Sequence, residues 1–289
     1  MIRAAAMLAA LVAGFLLPGL SGWAVGIRWI LSVMLFLGFS GVPLIGFKPE
    51  RAHLRLLLVW PLFAVAGWFL LEPFGREAQL AGLLVGATPT ATAAPVVTAI
   101  LGGEAAFVTI SLLGSNLLAA LVLPPVLAAV GGGRIPSTMP FLLGMASTVL
   151  VPLALALVSR RIPGSEPILR RARSASFPLW VVGLLLASAK ASAFLRSPSG
   201  LPLRTTVAIV AGSGVLCVCH FLTGWALGGR ERGLEAGQSL GQKNTLLTLW
   251  MGLAVFGPGA ALGPASYILW HNLWNSLQMA RRGRKLKRS

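Results

Sequence analysis

The composition of this 289-residue chain is that of an integral membrane protein, because 56% of its residues are hydrophobic and only 11% are charged. About 25% are charged in a soluble domain, so a soluble fold, a nucleic-acid-binding domain and intrinsic disorder are all excluded. Yet 24 Lys and Arg against 7 acidic residues, all of them Glu, leave a net charge of +17. The positions of these basic residues are therefore informative.

Ten stretches are apolar enough to cross a bilayer as helices, each needing about 20 residues. The predicted spans are 4–25, 29–46, 54–73, 78–101, 105–131, 138–159, 176–195, 206–228, 233–256 and 261–280. The first resembles a signal peptide in its short basic start. We expect it to be retained, since Ser21-Gly22-Trp23 is not a small-x-small cleavage site.

The basic residues separate to opposite sides of these spans. Seventeen fall on one side: Arg3, Lys48, Arg51, Arg55, Arg160, Arg161, Arg170, Arg171, Arg173, Arg230, Arg232, Arg281, Arg282, Arg284, Lys285, Lys287 and Arg288. Five fall on the other: Arg28, Arg76, Arg134, Arg196 and Arg204. Only Lys190 and Lys243 lie inside spans. The positive-inside rule then predicts a multi-pass protein of the bacterial inner membrane with both termini in the cytoplasm.

A glycine-rich break at 131–136 divides the spans five and five. Because five is odd, the second half is inverted relative to the first, an arrangement typical of secondary transporters. We therefore predict repeats at 1–133 and 134–280, followed by a basic cytoplasmic tail at 281–289. Leu101-Gly102-Gly103-Glu104-Ala105-Ala106 and Phe256-Gly257-Pro258-Gly259-Ala260-Ala261 are similar segments at equivalent places in the two halves.

The fourth span is predicted to be a broken helix. Its sequence from Thr88 to Pro95 places two prolines and three threonines within eight residues. Each proline removes a backbone donor, and the carbonyls it leaves unpaired must line a cavity or find other partners. The alternative is a kinked packing helix in which the threonines bond their own backbone. The density of these residues favours a binding site.

The ninth span is its polar counterpart and carries Lys243 near its middle. An intramembrane lysine costs at least about 2.5–3.5 kcal/mol, so it indicates function. Glu235 is the closest glutamate in sequence, about 12 Å away along a helix. Lys243 is therefore neutral, paired with backbone carbonyls of the fourth helix, or bound to an anionic substrate. Lys190, in contrast, is close enough to the membrane edge to reach water.

At these residues the chain resembles the bile acid:sodium symporter family over nearly its whole length. Leu240-Gly241-Gln242-Lys243-Asn244-Thr245 is similar to the ninth-helix motif of that family, and Trp270-His271-Asn272 to its tenth helix. The resemblance implies an all-α fold of two inverted five-helix repeats, with broken helices 4 and 9 crossing at the midplane. It implies a panel domain of helices 1, 2, 6 and 7 and a core domain of helices 3–5 and 8–10.

The sodium sites that the resemblance implies are altered. Their Glu and Gln fall on Ser239 and Lys243, their Ser-Asn pair on Ala94-Pro95, and a third-helix Gln on Leu56. Another register would place the Glu on Glu235. Since Ala, Pro and Leu side chains offer sodium no oxygen and a lysine repels it, we expect Lys243 to replace the cation.

The expected function is transport of a small organic anion by alternating access, without sodium, with no metal site and no cofactor. Lys243 allows proton coupling as an alternative to uniport, since a buried lysine titrates more easily. The predicted substrate-binding residues are Thr88, Thr90, Thr92, Pro95, Ser239, Gln242, Lys243, Asn244, Thr245, His271 and Asn272. Membrane lipid is the other expected partner, through the basic tail.

Three other functions remain open. One is a sodium-coupled symporter with a different ligand set, and another is a channel. The third is an intramembrane serine protease, because Gly19-Leu20-Ser21-Gly22 and Gly38-Phe39-Ser40-Gly41 match a short rhomboid-like pattern. Such patterns arise easily in a chain with 34 glycines, and neither lies near the polar helices. We therefore expect the protein not to be an enzyme.

Overall fold

The computed structural model describes residues 2–41, 49–131, 139–197 and 200–286. Lys48, Arg134, most of the glycine-rich break and the last residues of the basic tail lie outside the described residues. The structure is 87% helical, and its described ranges contain no β-strand. The prediction of an all-α fold is confirmed at this level.

Twelve α-helices make up the described ranges. They are α1 (Ile2–Leu16), α2 (Ile27–Ser40), α3 (Arg51–Leu71), α4 (Arg76–Gly86), α5 (Ala94–Ile100), α6 (Ala105–Val130), α7 (Met139–Ser159), α8 (Ser165–Ala172), α9 (Ser176–Leu195), α10 (Leu203–Gly241), α11 (Thr245–Val255) and α12 (Pro258–Leu286). Five helical segments among the described residues are long and apolar enough to cross a membrane: Pro18–Ser40, Arg51–Phe74, Ala105–Val130, Ser165–Leu195 and Leu203–Gly241. This composition and these lengths are those of an all-α membrane protein.

The first predicted span is not one continuous α-helix. The α-helix ends at Leu16, and Pro18–Gly26 continues as a 3₁₀-helix. Pro18 lies at the start of this 3₁₀ segment, where its missing N–H is not needed. A second difference is α8, which lies in a predicted loop. Glu166 in its first turn and Arg170 and Arg171 in its last turn match the helix dipole.

Glycines with positive φ lie at both ends of the two interrupted helices. Gly75 (φ 98°) precedes α4, and Gly102 (φ 76°) follows α5. Gly229 (φ 61°) breaks α10, and Gly257 (φ 99°) follows α11. L side chains rarely adopt these dihedrals, so glycine is required to turn the chain at each point. The predicted boundary between the eighth and ninth spans coincides with the break at Gly229.

Close backbone contacts hold α4 in place. A Cβ built on Gly82 would lie 2.0 Å from the carbonyl oxygen of Gly67, and one on Gly86 would lie 2.0 Å from the carbonyl oxygen of Phe63. Glycine is therefore the residue that lets α3 and α4 touch along their length. Since α4 also packs against α10, α11 and α12, its end at Gly86 is fixed among four helices.

Candidate functional site

The two helix interruptions lie side by side and are hydrogen-bonded to each other. Asn244 N–H donates to the Pro89 carbonyl over 2.7 Å, and Ala91 N–H donates to the Gln242 carbonyl over 2.9 Å. These bonds form an antiparallel bridge between Thr90 and Lys243. The backbone groups that each helix leaves unpaired thus bond the other interruption, which meets the requirement for polar backbone in an apolar environment. Helical structure is thus interrupted between Gly86 and Ala94 and between Gly241 and Thr245.

Thr88 anchors the first interruption from within the protein. Its carbonyl accepts a 3.0 Å bond from the Trp60 indole N–H. Its hydroxyl donates to the Leu84 carbonyl over 2.6 Å and lies 2.8 Å from the Thr248 hydroxyl. These bonds use all the polar groups of the Thr88 side chain and carbonyl. Thr88 is therefore a structural residue of the crossing.

Helix α6 anchors the next turn of the same segment. Thr90 N–H donates to Ser115 Oγ over 3.1 Å, and Asn116 Nδ2 donates to the Thr90 carbonyl over 2.8 Å. Asn116 Oδ1 in turn accepts a 3.3 Å bond from Asn244 Nδ2, so one amide joins both interruptions. Thr90 Oγ1 donates to the Ser239 carbonyl over 2.7 Å. The crossing is thus fixed by side chains as well as by backbone.

A cavity of about 300 Å³ opens beside the crossing, between α3, α6 and the end of α10. Its walls are formed by Pro49, Glu50, His53, Leu54, Leu56, Leu57, Trp60, Thr90, Ile110, Ser111, Gly114, Ser115, Ser239, Leu240 and Lys243. Leu54 is 60% exposed and marks the mouth, together with the partly exposed Glu50 side chain. The cavity therefore runs from the N-terminal turn of α3 to the bridge between the interruptions.

Lys243 forms the deep end of this cavity and is only 2% exposed. The three salt bridges among the described residues involve Arg173 and Arg232 but not Lys243. No described residue provides a hydrogen-bond acceptor for the Lys243 ammonium. A buried charge without a partner is costly, so Lys243 is the least compensated charge that lines the cavity.

Two hydroxyls share this cavity with Lys243 and are also unpaired. Ser111 Oγ and Ser239 Oγ are buried, and neither has a hydrogen-bond partner in the described part of the chain. Ser239 lies in the last turn of α10, just before the bridge at Lys243, and Ser111 precedes Ser115 by one turn on α6. Hydroxyls and an ammonium all donate hydrogen bonds, so together they suit an anionic group.

The structure brings some predicted site residues together and separates others. Thr90, Ser239 and Lys243 line the cavity. The remaining eight lie elsewhere: Thr88, Thr92, Pro95, Gln242, Asn244, Thr245, His271 and Asn272. Thr92 packs beneath Gly38, Pro95 lies in the first turn of α5, and Thr245 begins α11.

The last of these residues already have intramolecular contacts. Gln242 Nε2 donates to Gln238 Oε1 over 3.0 Å, and Asn272 Nδ2 donates to the Ile268 carbonyl over 2.7 Å. His271 is buried edge-on against Tyr267, with ring centroids 5.5 Å apart, and its Nδ1 has no hydrogen-bond partner among the described residues. These side chains lie in the protein interior and do not line the cavity.

Three of the positions at which the resemblance placed sodium ligands line this one cavity. They are Leu56, Ser239 and Lys243. The fourth position is Ala94-Pro95, where Ala94 belongs to an apolar cluster with Leu56 and Val85. Of these side chains only Ser239 offers an oxygen, Leu56 offers none and the Lys243 ammonium repels a cation, so the three positions are a poor ligand set for a hard cation.

Sequence reasoning missed the contribution of α6 and the first turn of α3. Ser111, Ser115 and Asn116 interrupt an otherwise apolar span, and His53 lies on the first turn of α3. His53 accepts from Glu50 N–H at Nδ1 (2.9 Å) and lies 3.0 Å from the Phe107 carbonyl at Nε2. The available signal was the run Gly114-Ser115-Asn116, since an asparagine in an apolar span requires a partner.

An ion-pair cluster closes one edge of the cavity mouth. Arg232 donates from Nη2 and Nε to the two Glu50 oxygens over 2.6 and 3.1 Å, and from Nη1 to Glu104 over 2.5 Å. Glu235 also joins this edge, because its Oε1 accepts a 2.8 Å bond from Glu104 N–H. The cluster ties the starts of α3 and α6 to α10 just after its break.

No protein-family model and no curated protein sequence matches this chain. The feature of this chain that points to a function is the cavity, where the buried Lys243 and two unpaired hydroxyls lie beside the crossing of the interrupted helices.

Proposed function

We propose that this protein is a secondary transporter or facilitator that carries a small organic anion across a bacterial inner membrane by alternating access, without sodium. The observation that carries the proposal is Lys243, whose buried ammonium faces a cavity and has no carboxylate partner among the described residues. An anion entering this cavity supplies the missing charge, and its departure restores the unfavourable empty state. The attraction to Lys243 thus selects an anion from solution, and the anion must still be bound weakly enough to leave on the other side of the membrane.

The paired interruptions support an inverted repeat of ten spans. Each interrupted helix lies between two glycines with positive φ, Gly75 and Gly102 in one half and Gly229 and Gly257 in the other. In the first half, the five spans are α1 with its 3₁₀ continuation, α2, α3, α4 together with α5, and α6. In the second half, they are α7, α9, the part of α10 before Gly229, the part of α10 after Gly229 together with α11, and α12. Broken helices that cross near the middle are where such transporters bind their substrates.

Helix packing supports a division into panel and core. Helices α1, α2, α7 and α9 pack on one another, and α3, α4, α10, α11 and α12 form a second packed set. Helix α6, the fifth span, contacts α7 of the first set as well as α3, α5 and α10. The first set matches the panel of helices 1, 2, 6 and 7 that the resemblance to the bile acid:sodium symporter family implies, and the second matches its core of helices 3–5 and 8–10 except for α5 and α6. Movement of one set against the other would expose the substrate to each side of the membrane in turn.

The mouth of the cavity lies beside basic residues that we assign to the cytoplasm. Glu50 is followed by Arg51 and Arg55, and the second part of α10 begins with Arg230 and Arg232. The positive-inside rule therefore makes this an inward-open cavity. Lys243 lies at its closed end, so protons or water from the cytoplasm reach the ammonium by the same route as an anion.

Transport by purified protein in liposomes tests this proposal. The probes are potassium salts of pyruvate, 2-oxoisovalerate, benzoate and cholate, screened first by thermal stabilisation and then by counterflow of the stabilising anion. We expect saturable counterflow in sodium-free buffer that is lost in Lys243→Met. Accumulation of the anion driven by a pH gradient would identify proton coupling. Accumulation that does not change with the pH gradient would identify uniport.

Lys190→Met is the matched control, because Lys190 is the other lysine inside a span and does not line the cavity. It should retain counterflow. Uptake that sodium stimulates would overturn sodium independence and favour the symporter alternative. Normal counterflow by Lys243→Met would remove the basis of the whole proposal.

A further inference from the structure

The polar groups of the cavity divide into those that are already bonded and those that are free. Thr90 Oγ1 donates to the Ser239 carbonyl. Ser115 Oγ accepts from Thr90 N–H and lies 3.4 Å from the Leu112 carbonyl. Both His53 nitrogens are engaged, and so are both Glu50 oxygens. None of these side chains is available to a ligand without breaking a bond inside the protein.

Three groups remain free, and all three are donors. They are the hydroxyls of Ser111 and Ser239, which have no hydrogen-bond partner among the described residues, and the Lys243 ammonium, which takes part in none of the salt bridges between described residues. Together we call these three lining groups the cavity trio. A carboxylate has two oxygens with about four acceptor sites, so one carboxylate satisfies all three donors. Among the described residues that line the cavity, Lys243 is the one lysine or arginine. One negative charge is thus the complement of this site.

The rest of the wall is apolar. Leu54, Leu56, Leu57, Trp60, Ile110 and Leu240 supply it, and the Trp60 indole N–H is occupied by the Thr88 carbonyl. A hydroxyl or a second carboxylate on the ligand would meet hydrocarbon and lose its hydrogen bonds to water. A hydrocarbon tail gains free energy on the same wall in proportion to its buried area.

The size of the cavity limits the length of this tail. About 300 Å³ is at the lower end of the range of about 300–1,000 Å³ for small-molecule pockets. Gly114 lines the cavity next to Leu57, and an added Cβ would be 3.5 Å from the nearest Leu57 carbon, an ordinary contact. A larger side chain at this position would occupy part of the space for a tail.

We infer that the ligand of this site is a short-chain monocarboxylate with an unsubstituted apolar tail, its carboxylate bound by the cavity trio and its tail packed between α3 and α6. This inference rests on the proposed function, since it names the class of anion that the transporter carries. Dicarboxylates, hydroxy acids and sterol acids are poor ligands of the same site.

Calorimetric binding to the full chain in nanodiscs tests the inference without requiring transport. The probes are butyrate, hexanoate, adipate and hexanol. We expect hexanoate to bind about tenfold more tightly than butyrate, because two more methylenes are buried. Adipate should bind at least about tenfold more weakly than hexanoate, and hexanol should not bind because it lacks the charge.

Variants at Gly114 locate the tail. Gly114→Leu should remove the preference for hexanoate over butyrate, whereas Gly114→Ala, whose added methyl has room, should retain it. Adipate binding as tightly as hexanoate, or a chain-length preference unchanged in Gly114→Leu, would overturn the inference. So would the failure of hexanoate to bind.

The binding result is separable from the proposed function. Hexanoate binding without counterflow would support the ligand class and overturn transport. Counterflow of another anion that depends on Lys243, without hexanoate binding, would support transport and overturn the ligand class.

Discussion

Two polar clusters meet at the end of α10, and they differ in whether their polar groups have partners inside the protein. In the first, which we call the glutamine cluster, Gln242 donates to Gln238 over 3.0 Å and Gln238 donates to Gln278 over 2.7 Å, with Asn275 at 3.5 Å. In the cavity trio, the hydroxyls of Ser111 and Ser239 have no hydrogen-bond partner among the described residues, and Lys243 forms no salt bridge with any of them. Self-satisfied amides stabilise a fold, whereas unpaired buried donors lower its stability and are retained for a ligand.

Substitutions in the two clusters should change the stability of the protein in opposite directions, and this is the sharpest test of the contrast. Lys243→Met removes an uncompensated buried charge, so we expect the free energy of unfolding to increase by up to about 2.5–3.5 kcal/mol. Gln238→Leu leaves buried amides unpaired, so we expect a decrease of about 1–3 kcal/mol. Unfolding by sodium dodecyl sulfate in mixed micelles measures both.

Lys190→Met is the control for this pair, because Lys190 is only half-buried and its substitution should change stability little. A Lys243→Met variant that unfolds more easily than the wild type would mean that the ammonium has a partner inside the protein. The contrast between the two clusters would then be lost.

The bond that joins the two interruptions should matter almost as much. Asn116→Leu removes the donor to the Thr90 carbonyl and the acceptor for Asn244, so we expect a loss of about 1–3 kcal/mol. Asn272→Leu is the matched control, because its amide bonds only the Ile268 carbonyl of its own helix. Equal destabilisation by both substitutions would show that Asn116 is not a special tie between the interruptions.

Removing one hydroxyl of the cavity trio should weaken ligand binding without weakening the fold. A hydrogen bond to a charged group contributes about 1.5–3 kcal/mol, so we expect Ser111→Ala to reduce hexanoate affinity by about tenfold or more. The melting temperature should not fall and can rise slightly, since Ser111 Oγ is a buried donor with no partner among the described residues.

Ser213→Ala is the control, and we expect it to affect stability but not ligand binding. Its hydroxyl is bonded to the carbonyls of Ile209 and Gly263 and lies outside the cavity. Its loss should lower the melting temperature and leave hexanoate affinity unchanged. A fall in melting temperature for Ser111→Ala would identify Ser111 as a structural residue.

Residues of this site that are unusual in a membrane-spanning helix could be predicted from the sequence. Residues that are compatible with a continuous helix were missed. Pro89 and Pro95 remove backbone donors, and Lys243 is too costly to be incidental, so both interruptions were predictable. Ser111 and Ser115 lie within the continuous helix α6, where serines usually bond their own backbone. Their orientation toward Lys243 depends on how α6 packs against α10, which no local pattern specifies.

Pairing between distant groups was equally hidden. Gln242 and Asn244 flank Lys243 in sequence and were predicted to share its role, yet they bond Gln238 and Asn116. The helix ends at Gly75, Gly102, Gly229 and Gly257 were easier to predict from the sequence. Glycine adopts positive φ more readily than other residues, and this preference does not depend on distant parts of the chain. Local backbone constraints were thus readable from sequence, whereas the partners of polar side chains were not.

The smallest expected effect concerns Arg232, which pairs with two partly exposed carboxylates at the mouth. Partly exposed pairs contribute about 0.2–1 kcal/mol, so Arg232→Gln should destabilise the protein by no more than this. Its effect on binding is separate, because the substitution leaves the Glu50 charge uncompensated where an anion enters. At about 8 Å in water that repulsion is about 0.5 kcal/mol, so we expect about a twofold loss of hexanoate affinity at low ionic strength.

Salt and a second substitution distinguish this repulsion from a distorted mouth. High ionic strength should restore hexanoate affinity in Arg232→Gln, because it screens the Glu50 charge. The double variant with Glu50→Gln should restore it at low salt. Arg230→Gln is the control, since Arg230 is exposed and makes no ion pair with the described residues. A loss of affinity that neither salt nor Glu50→Gln reverses would mean that Arg232 holds the mouth open mechanically, by tying α3 and α6 to α10.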